Sequence, residues 1–187
     1  MLTTCAFAQK ATKKASNILV GITPGLGSTK VTMTDGDDKE KCSYNKDFGI
    51  TLGFERVING YILLPELHYL RGNLKSYEYN SETIDNYAED INQIGFIQWF
   101  GFTIAAQQRV QVPIMVGIGL DYYTGIPIDK LLMFDYGAKA RVKVYITPKF
   151  GLFLGAGIQG ASASSKSDDQ KIRLRNITSE LGITFTL

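Results

Sequence analysis

Glu180-Leu181-Gly182-Ile183-Thr184-Phe185-Thr186-Leu187 ends the sequence, and its alternation decides the fold. Apolar residues fall at 181, 183, 185 and 187; small or polar ones fall at 180, 182, 184 and 186. Successive side chains of a strand point to opposite faces, so this pattern predicts a strand with one apolar and one polar face. The segment stops on its apolar face, which is expected of the closing strand of a barrel set in a membrane.

Working back from that segment, seven more strand-like runs appear. Asn17–Val31 carries Ile18, Val20, Ile22, Pro24 and Leu26 on one face. Phe48–Val57 alternates Phe48, Ile50, Leu52 and Phe54 with Gly49, Thr51, Gly53 and Glu55. Tyr61–Lys75 presents Tyr61, Leu63, Pro65, Leu67 and Tyr69 outward. Asn92–Ala106 is aromatic-rich and has no clean phase, and a bulge near Gln98 would reconcile its halves. Val110–Tyr123, Leu131–Ile146 and Phe150–Ala161 follow, and Lys171–Leu187 is the eighth run. No 3.6-residue periodicity is sustained, so helices are minor.

The connections alternate in length. Asn59-Gly60 is a tight hairpin signature, because a type I′ turn needs positive φ at both central residues. Gln107-Gln108-Arg109 and Thr147-Pro148-Lys149 are similarly short, whereas Thr32–Asp47, Ser76–Ile91, Thr124–Lys130 and Ser162–Gln170 read as longer polar loops. The expected fold is all-β: an eight-stranded antiparallel up-and-down transmembrane β-barrel with short periplasmic turns and longer extracellular loops. An even strand count puts both termini in the periplasm. In hydrocarbon an open sheet edge would strand unpaired N–H and C=O groups, so the last strand must pair with the first.

Composition agrees with that picture. The 187 residues carry a formal net charge of +2, and no basic stripe with stacking aromatics suggests nucleic acid. Ten Tyr and ten Phe fit amphipathic rings at a lipid interface. No run of 18 apolar residues supports a membrane helix, but a spanning strand needs only about 9–11 residues. The two cysteines, Cys5 and Cys42, have no metal or CxxC spacing. Residues 1–8 read as the end of a secretory signal with Ala6-Phe7-Ala8 as a small-x-small cleavage site, and 9–16 as a polar lead before a barrel domain at 17–187. That signal lacks a basic start and a full apolar core, so the expectation is a truncated start. A lipoprotein cysteine at Cys5 and an ordinary cytosolic N-terminus stay open as alternatives.

Carrying the phase through the runs predicts a polar lumen built from Glu55, Glu66, His68, Asp121, Asp135, Lys139, Arg141, Lys143 and Glu180. Glycines 49, 53, 117, 119, 155, 157 and 182 share that face and leave room for long side chains. An eight-stranded barrel is just wide enough to be filled by side chains, so no open channel is expected. The opposite phase, with apolar residues inside, would give a soluble lipocalin-like barrel.

The pattern resembles the small outer-membrane β-barrel proteins of Gram-negative bacteria, the outer membrane protein A/X-like or porin-family barrels. The resemblance covers Gln9–Leu187 and is sharpest at the end, where the family's assembly signal is polar-x-Gly-x-x-apolar-x-apolar. Glu180, Gly182, Phe185 and Leu187 sit at those positions. The family commonly ends on Phe and this chain on Leu187. The resemblance implies export and insertion by the outer-membrane assembly machinery. The expected protein is a monomer of the outer membrane with a non-enzymatic role in membrane integrity, surface adhesion or interaction through external loops.

No catalytic residue, cofactor or metal site is assigned from sequence. His68 is the only histidine, and barrel enzymes that modify lipids use a His with a Ser and an acid. No Ser partner is identifiable, so a structural His68 is the expectation and a lipid-modifying enzyme the alternative; a narrow pore or small-ligand transporter is another. The acidic stretch Asp35-Gly36-Asp37-Asp38-Lys39-Glu40 lacks the Glu spacing of a calcium loop. Lys30, Arg71, Arg173 and Arg175 share parity with lipid-facing positions at the outer strand ends, where they could contact lipopolysaccharide phosphates.

Overall fold

The computed structural model describes residues 14–24, 27–35, 38–80, 82–84, 90–105, 109–125, 131–164 and 171–187. Ala6-Phe7-Ala8, Cys5 and most of the polar lead lie outside the described residues. Ten strands are present: β1 (Lys14–Pro24), β2 (Ser28–Asp35), β3 (Asp38–Ile58), β4 (Tyr61–Tyr79), β5 (Glu82–Ile84), β6 (Ile91–Ile104), β7 (Val110–Thr124), β8 (Leu131–Tyr145), β9 (Phe150–Ser164) and β10 (Lys171–Thr186). All pairings are antiparallel. β1 and β2 lie end to end between β3 and β10, and β5 pairs only with β4. The ring therefore has eight places. It closes where Asn17–Ile22 pairs with Thr186–Leu181, and Leu187 N donates to Ser16 O at 3.0 Å.

The expected first strand is thus two strands, broken around Pro24 and Gly27, and β1 starts at Lys14 rather than at Asn17. At the other end of the barrel, Asn59 and Gly60 have φ of 52° and 87°, the positive pair a two-residue turn demands.

Two expectations need correction. The segment Thr32–Asp47 is not a loop: β2 and β3 pair without a break from Ser28↔Asn45 to Asp35↔Asp38. Val31, Met33, Cys42 and Tyr44 face inward and give the hairpin an apolar side, which the outward Lys, Thr and Glu residues conceal. Similarly, β4 continues through Ser76 to Tyr79. Register shifts at Ser43/Tyr44 and Lys46/Phe48 leave Asp47 and Phe48 exposed in succession and flip the inward parity of β3. The chain bulges here, which is why period-2 reading stopped.

The bulge expected near Gln98 is absent. β6 pairs with β4 and β7 residue by residue through this position. Gln98 faces out and its amide donates to Trp99 O at 3.0 Å, while Ile91, Ile97 and Trp99 face in. The phase looked broken because apolar residues occupy both faces.

Large apolar side chains ring the outside. Ile18, Ile50, Leu67, Phe96, Val116, Val142, Leu154 and Ile177 are 36–64 % exposed, and their inward neighbours are buried. A continuous apolar belt of this kind is not stable in water and is matched by hydrocarbon. The phase of a soluble barrel with an apolar interior is excluded, since charged side chains are buried where it needs them exposed.

Candidate functional site

All nine residues read as lumenal from sequence are buried, between 0 and 7 % exposed. They do not form one network. Inward positions on β8 run, from the turn end upward, Lys143, Arg141, Lys139, Asp135 and Met133, and this order separates two groups.

The lower group is three acids against three bases. Lys143 Nζ is 2.5 Å from both Glu55 oxygens, and Asn17 Nδ2 donates to Glu55 at 2.8 Å. Lys139 donates to both oxygens of Glu66 at 2.6 and 2.7 Å. Arg141 donates to Glu66 through Nη2 at 2.5 Å and to Glu180 through both Nε and Nη2. Trp99 Nε1 donates to Glu66 at 3.1 Å, and Lys139 lies 4.2 Å above the Trp99 ring. Taking these charges out of water is costly, and only near-complete pairing with good geometry offsets it. Leu19, Ile62, Leu64, Ile97, Trp99, Met115 and Phe153 form one apolar cluster, joined to the network through Trp99.

The upper group is His68, Asp121, Asp135, Gln93, Tyr123 and Lys46. His68 Nε2 is 3.0 Å from Asp121 Oδ1. Gln93 Nε2 donates to Asp121 Oδ2 at 2.7 Å, and Tyr123 donates to the same oxygen at 3.3 Å. Thr29 and Asn176 extend the network, with Asn176 reaching Gln93 Oε1 at 3.4 Å. Neither oxygen of Asp135 has a hydrogen-bond partner, and neither does Lys46 Nζ. Above this group Val31, Met33, Cys42, Tyr44, Ile91, Tyr123, Met133, Ile172 and Leu174 form an apolar cap toward the loop end. Cys42 lies in that cap beyond the belt, and burial pushes its thiol up to about 11.

Sequence reasoning missed Asn17, Lys46, Gln93, Trp99, Tyr123 and Asn176. Parity could have found Asn17 and Tyr123. Lys46 points inward only because of the bulge after it.

On the outside, Lys30 and Arg175 are register partners on β2 and β10, and Arg173 follows two residues along. All are exposed, and none has an ion pair among the described residues. Arg71 stands apart on β4 and pairs with Asp90 at 2.5 Å. In the closing segment Glu180 belongs to the ion network, Gly182 pairs with Gly21, Phe185 packs on Phe150 at 5.2 Å between ring centroids, and Leu187 is 72 % exposed. Of the acidic stretch, 36–37 lies outside the described residues, and Asp38 accepts from Asn80 Nδ2 at 3.0 Å.

No family model matches the chain, and no curated protein matches it in sequence. Solved structures do. A major outer membrane protein of Thermus thermophilus aligns over 92 % of this chain and 99 % of its own, at 11 % identity and a TM-score of 0.54. Neisserial surface protein A aligns over 90 % and 96 %, at 11 % identity and a TM-score of 0.47. The outer membrane protease OmpT of Escherichia coli aligns over 92 % and 97 %, at 8 % identity and a TM-score of 0.49. With the closed ring and the outer apolar belt, the first of these matches identifies the fold as that of the bacterial outer-membrane β-barrels.

Proposed function

We propose that the protein is a monomeric, non-enzymatic barrel of the Gram-negative outer membrane, with its termini and short turns in the periplasm and its β2–β3 hairpin directed outward. It is inserted by the outer-membrane assembly machinery, and its work lies at the external surface, in contact with anionic lipid. The observation that carries this reading is the Lys30–Arg175 pair. Like charges directly opposite each other on neighbouring strands cost about 0.2–1 kcal/mol, a cost that an anion between them would reverse. The pair lies one step above Ile177, where the belt ends on β10, and Arg173 adds a third cation. Phosphates of lipopolysaccharide match such a cluster, since guanidinium and ammonium groups bind phosphate oxygens through charge-assisted hydrogen bonds.

The interior favours this reading over an enzyme or a pore. His68 is buried beneath the apolar cap, and the cavity beside it, about 20 Å³, is lined by threonines but no serine. That volume suits a water and not a lipid chain. A second cavity, of about 10 Å³, is too small to continue it as a channel.

Fractionation is the first test: the protein should partition with outer membranes and migrate differently before and after boiling. For the surface role, Lys30→Glu with Arg175→Glu should reduce binding to lipopolysaccharide vesicles, whereas Arg71→Glu should change it less, because Asp90 already holds that arginine. Equal binding by all variants would refute the anionic-lipid role, and a discrete conductance in a planar bilayer would favour the pore.

A further inference from the structure

The upper lumenal group has a geometry that the surface role does not use. Single ligand atoms of His68, Asp121 and Asp135 lie within 4.8 Å of one another, and all three side chains are buried. We propose that His68, Asp121 and Asp135 bind one divalent transition-metal ion of the zinc class inside the barrel.

The His68–Asp121 edge already has ligand spacing. Ligands held at about 2.0–2.2 Å from an ion sit roughly 3–3.5 Å apart, and His68 Nε2 is 3.0 Å from Asp121 Oδ1. Asp121 is oriented as a ligating carboxylate is: Gln93 and Tyr123 hold Oδ2 and leave Oδ1 toward His68. Gly95 cuts back the wall at this point, since a Cβ there would lie 1.5 Å from Asp121 Oδ1.

Asp135 is the independent sign. It is 1 % exposed, and neither of its oxygens accepts a hydrogen bond. A buried charged carboxylate without donors is strongly disfavoured: it either holds a proton or binds a cation, and an ion shared with His68 and Asp121 would take the proton's place. Lys46 Nζ has no hydrogen-bond partner, so it donates to neither Asp121 nor Asp135. An oxygen of Asp135 already lies within reach of the ligand atoms of His68 and Asp121.

One imidazole nitrogen and two carboxylates suit a borderline ion such as Zn²⁺ better than Ca²⁺ or Mg²⁺, which prefer oxygen-only sets. Ligation through Nε2 puts the His68 proton on Nδ1, and His68 lines the cavity of about 20 Å³, which has room for a water. The apolar cap closes the path from the loop end, so the ion enters during folding and exchanges slowly afterwards.

The test is to fold the full chain into detergent in chelator-treated buffer with and without Zn²⁺, remove free metal, and measure metal content and thermal unfolding. The expected result is about one zinc ion per folded chain, with a higher unfolding temperature than the metal-free protein. Ca²⁺ should produce neither effect. Asp135→Asn should fold and retain no zinc, Gln93→Leu should weaken affinity by about 10–100-fold, and Glu78→Gln on the surface should leave retention intact. If Asp135→Asn does not fold, His68→Gln gives the same reading. A folded wild type without zinc, or an Asp135→Asn protein that retains as much as wild type, would overturn the proposal.

Discussion

Charge is buried in two different ways in the two halves of this lumen. Toward the short turns, Glu55, Glu66 and Glu180 meet Lys143, Lys139 and Arg141, and every carboxylate has at least two donors. Toward the loops, Asp121 is held by Gln93 and Tyr123, but Asp135 has no donor and Lys46 no acceptor. The lower group pairs every carboxylate oxygen, leaves only Arg141 Nη1 among its charged atoms unpartnered, and behaves as structure. The upper group leaves both oxygens of Asp135 and Lys46 Nζ unpaired, and the proposed ion would complete the Asp135 side of it. Inward position alone therefore does not assign a role; the completeness of pairing does.

The largest test of that difference is Arg141→Ala. It leaves Glu180 and one oxygen of Glu66 without their strongest donor, and breaking a buried pair from one side costs about 3–5 kcal/mol. Urea unfolding in detergent micelles reads this, and a loss below about 1 kcal/mol would mean that the lower network is not structural. Next is Val142→Arg, which puts a guanidinium one residue away on the lipid side. It should cost about 2–4 kcal/mol if Val142 is near the mid-bilayer, and a negligible cost would break the assignment of faces. Asp135→Asn, in metal-free protein, should change stability by no more than about 1 kcal/mol, because no hydrogen bond is lost. A loss as large as that of Arg141→Ala would erase the contrast between the halves. The smallest effect concerns the cap. With its pKa raised to about 11, the Cys42 thiol is protonated at neutral pH, and its thiolate fraction rises only as pH climbs toward that value. Alkylation of the folded protein should be slow at pH 8 and increase about tenfold per pH unit, whereas rapid labelling at pH 8 would show that the cap opens.

Most of the barrel was legible because lipid and lumen impose opposite chemistry on alternate residues. β7 and β8 carry that signal without interruption: Val116, Ile118 and Leu120 outside, Lys139, Arg141 and Lys143 inside. Legibility failed where alternation did. In β6, Trp99 and Ile97 are apolar but inward, because Trp99 shields Glu66 and Lys139 rather than facing lipid. Above the belt, both faces of the β2–β3 hairpin depart from the pattern: the outside is polar because it meets no hydrocarbon, and the inside is apolar because no ion network continues there. The bulge after Lys46 then shifts the phase, so Thr32–Asp47 reads as loop. Of the upper group, His68, Asp121 and Asp135 were each visible as inward polar residues. Their convergence was not, because three different strands bring them together.

The seam between β1 and β10 also constrains time. Thr186 Oγ1 donates to Asn17 Oδ1 across 169 residues of sequence, and the pairs from Asn17↔Thr186 to Ile22↔Leu181 complete the wall. No intermediate lacking the final strand can hide the edges of β1 and β9, so partial barrels are sticky rather than stable. Folding must run late and nearly all at once, with contacts of very high sequence separation, which makes it slow. The wall stays open along two edges until residues 180–187 reach Asn17–Ile22, so its last-made segment decides when the lumen is sealed.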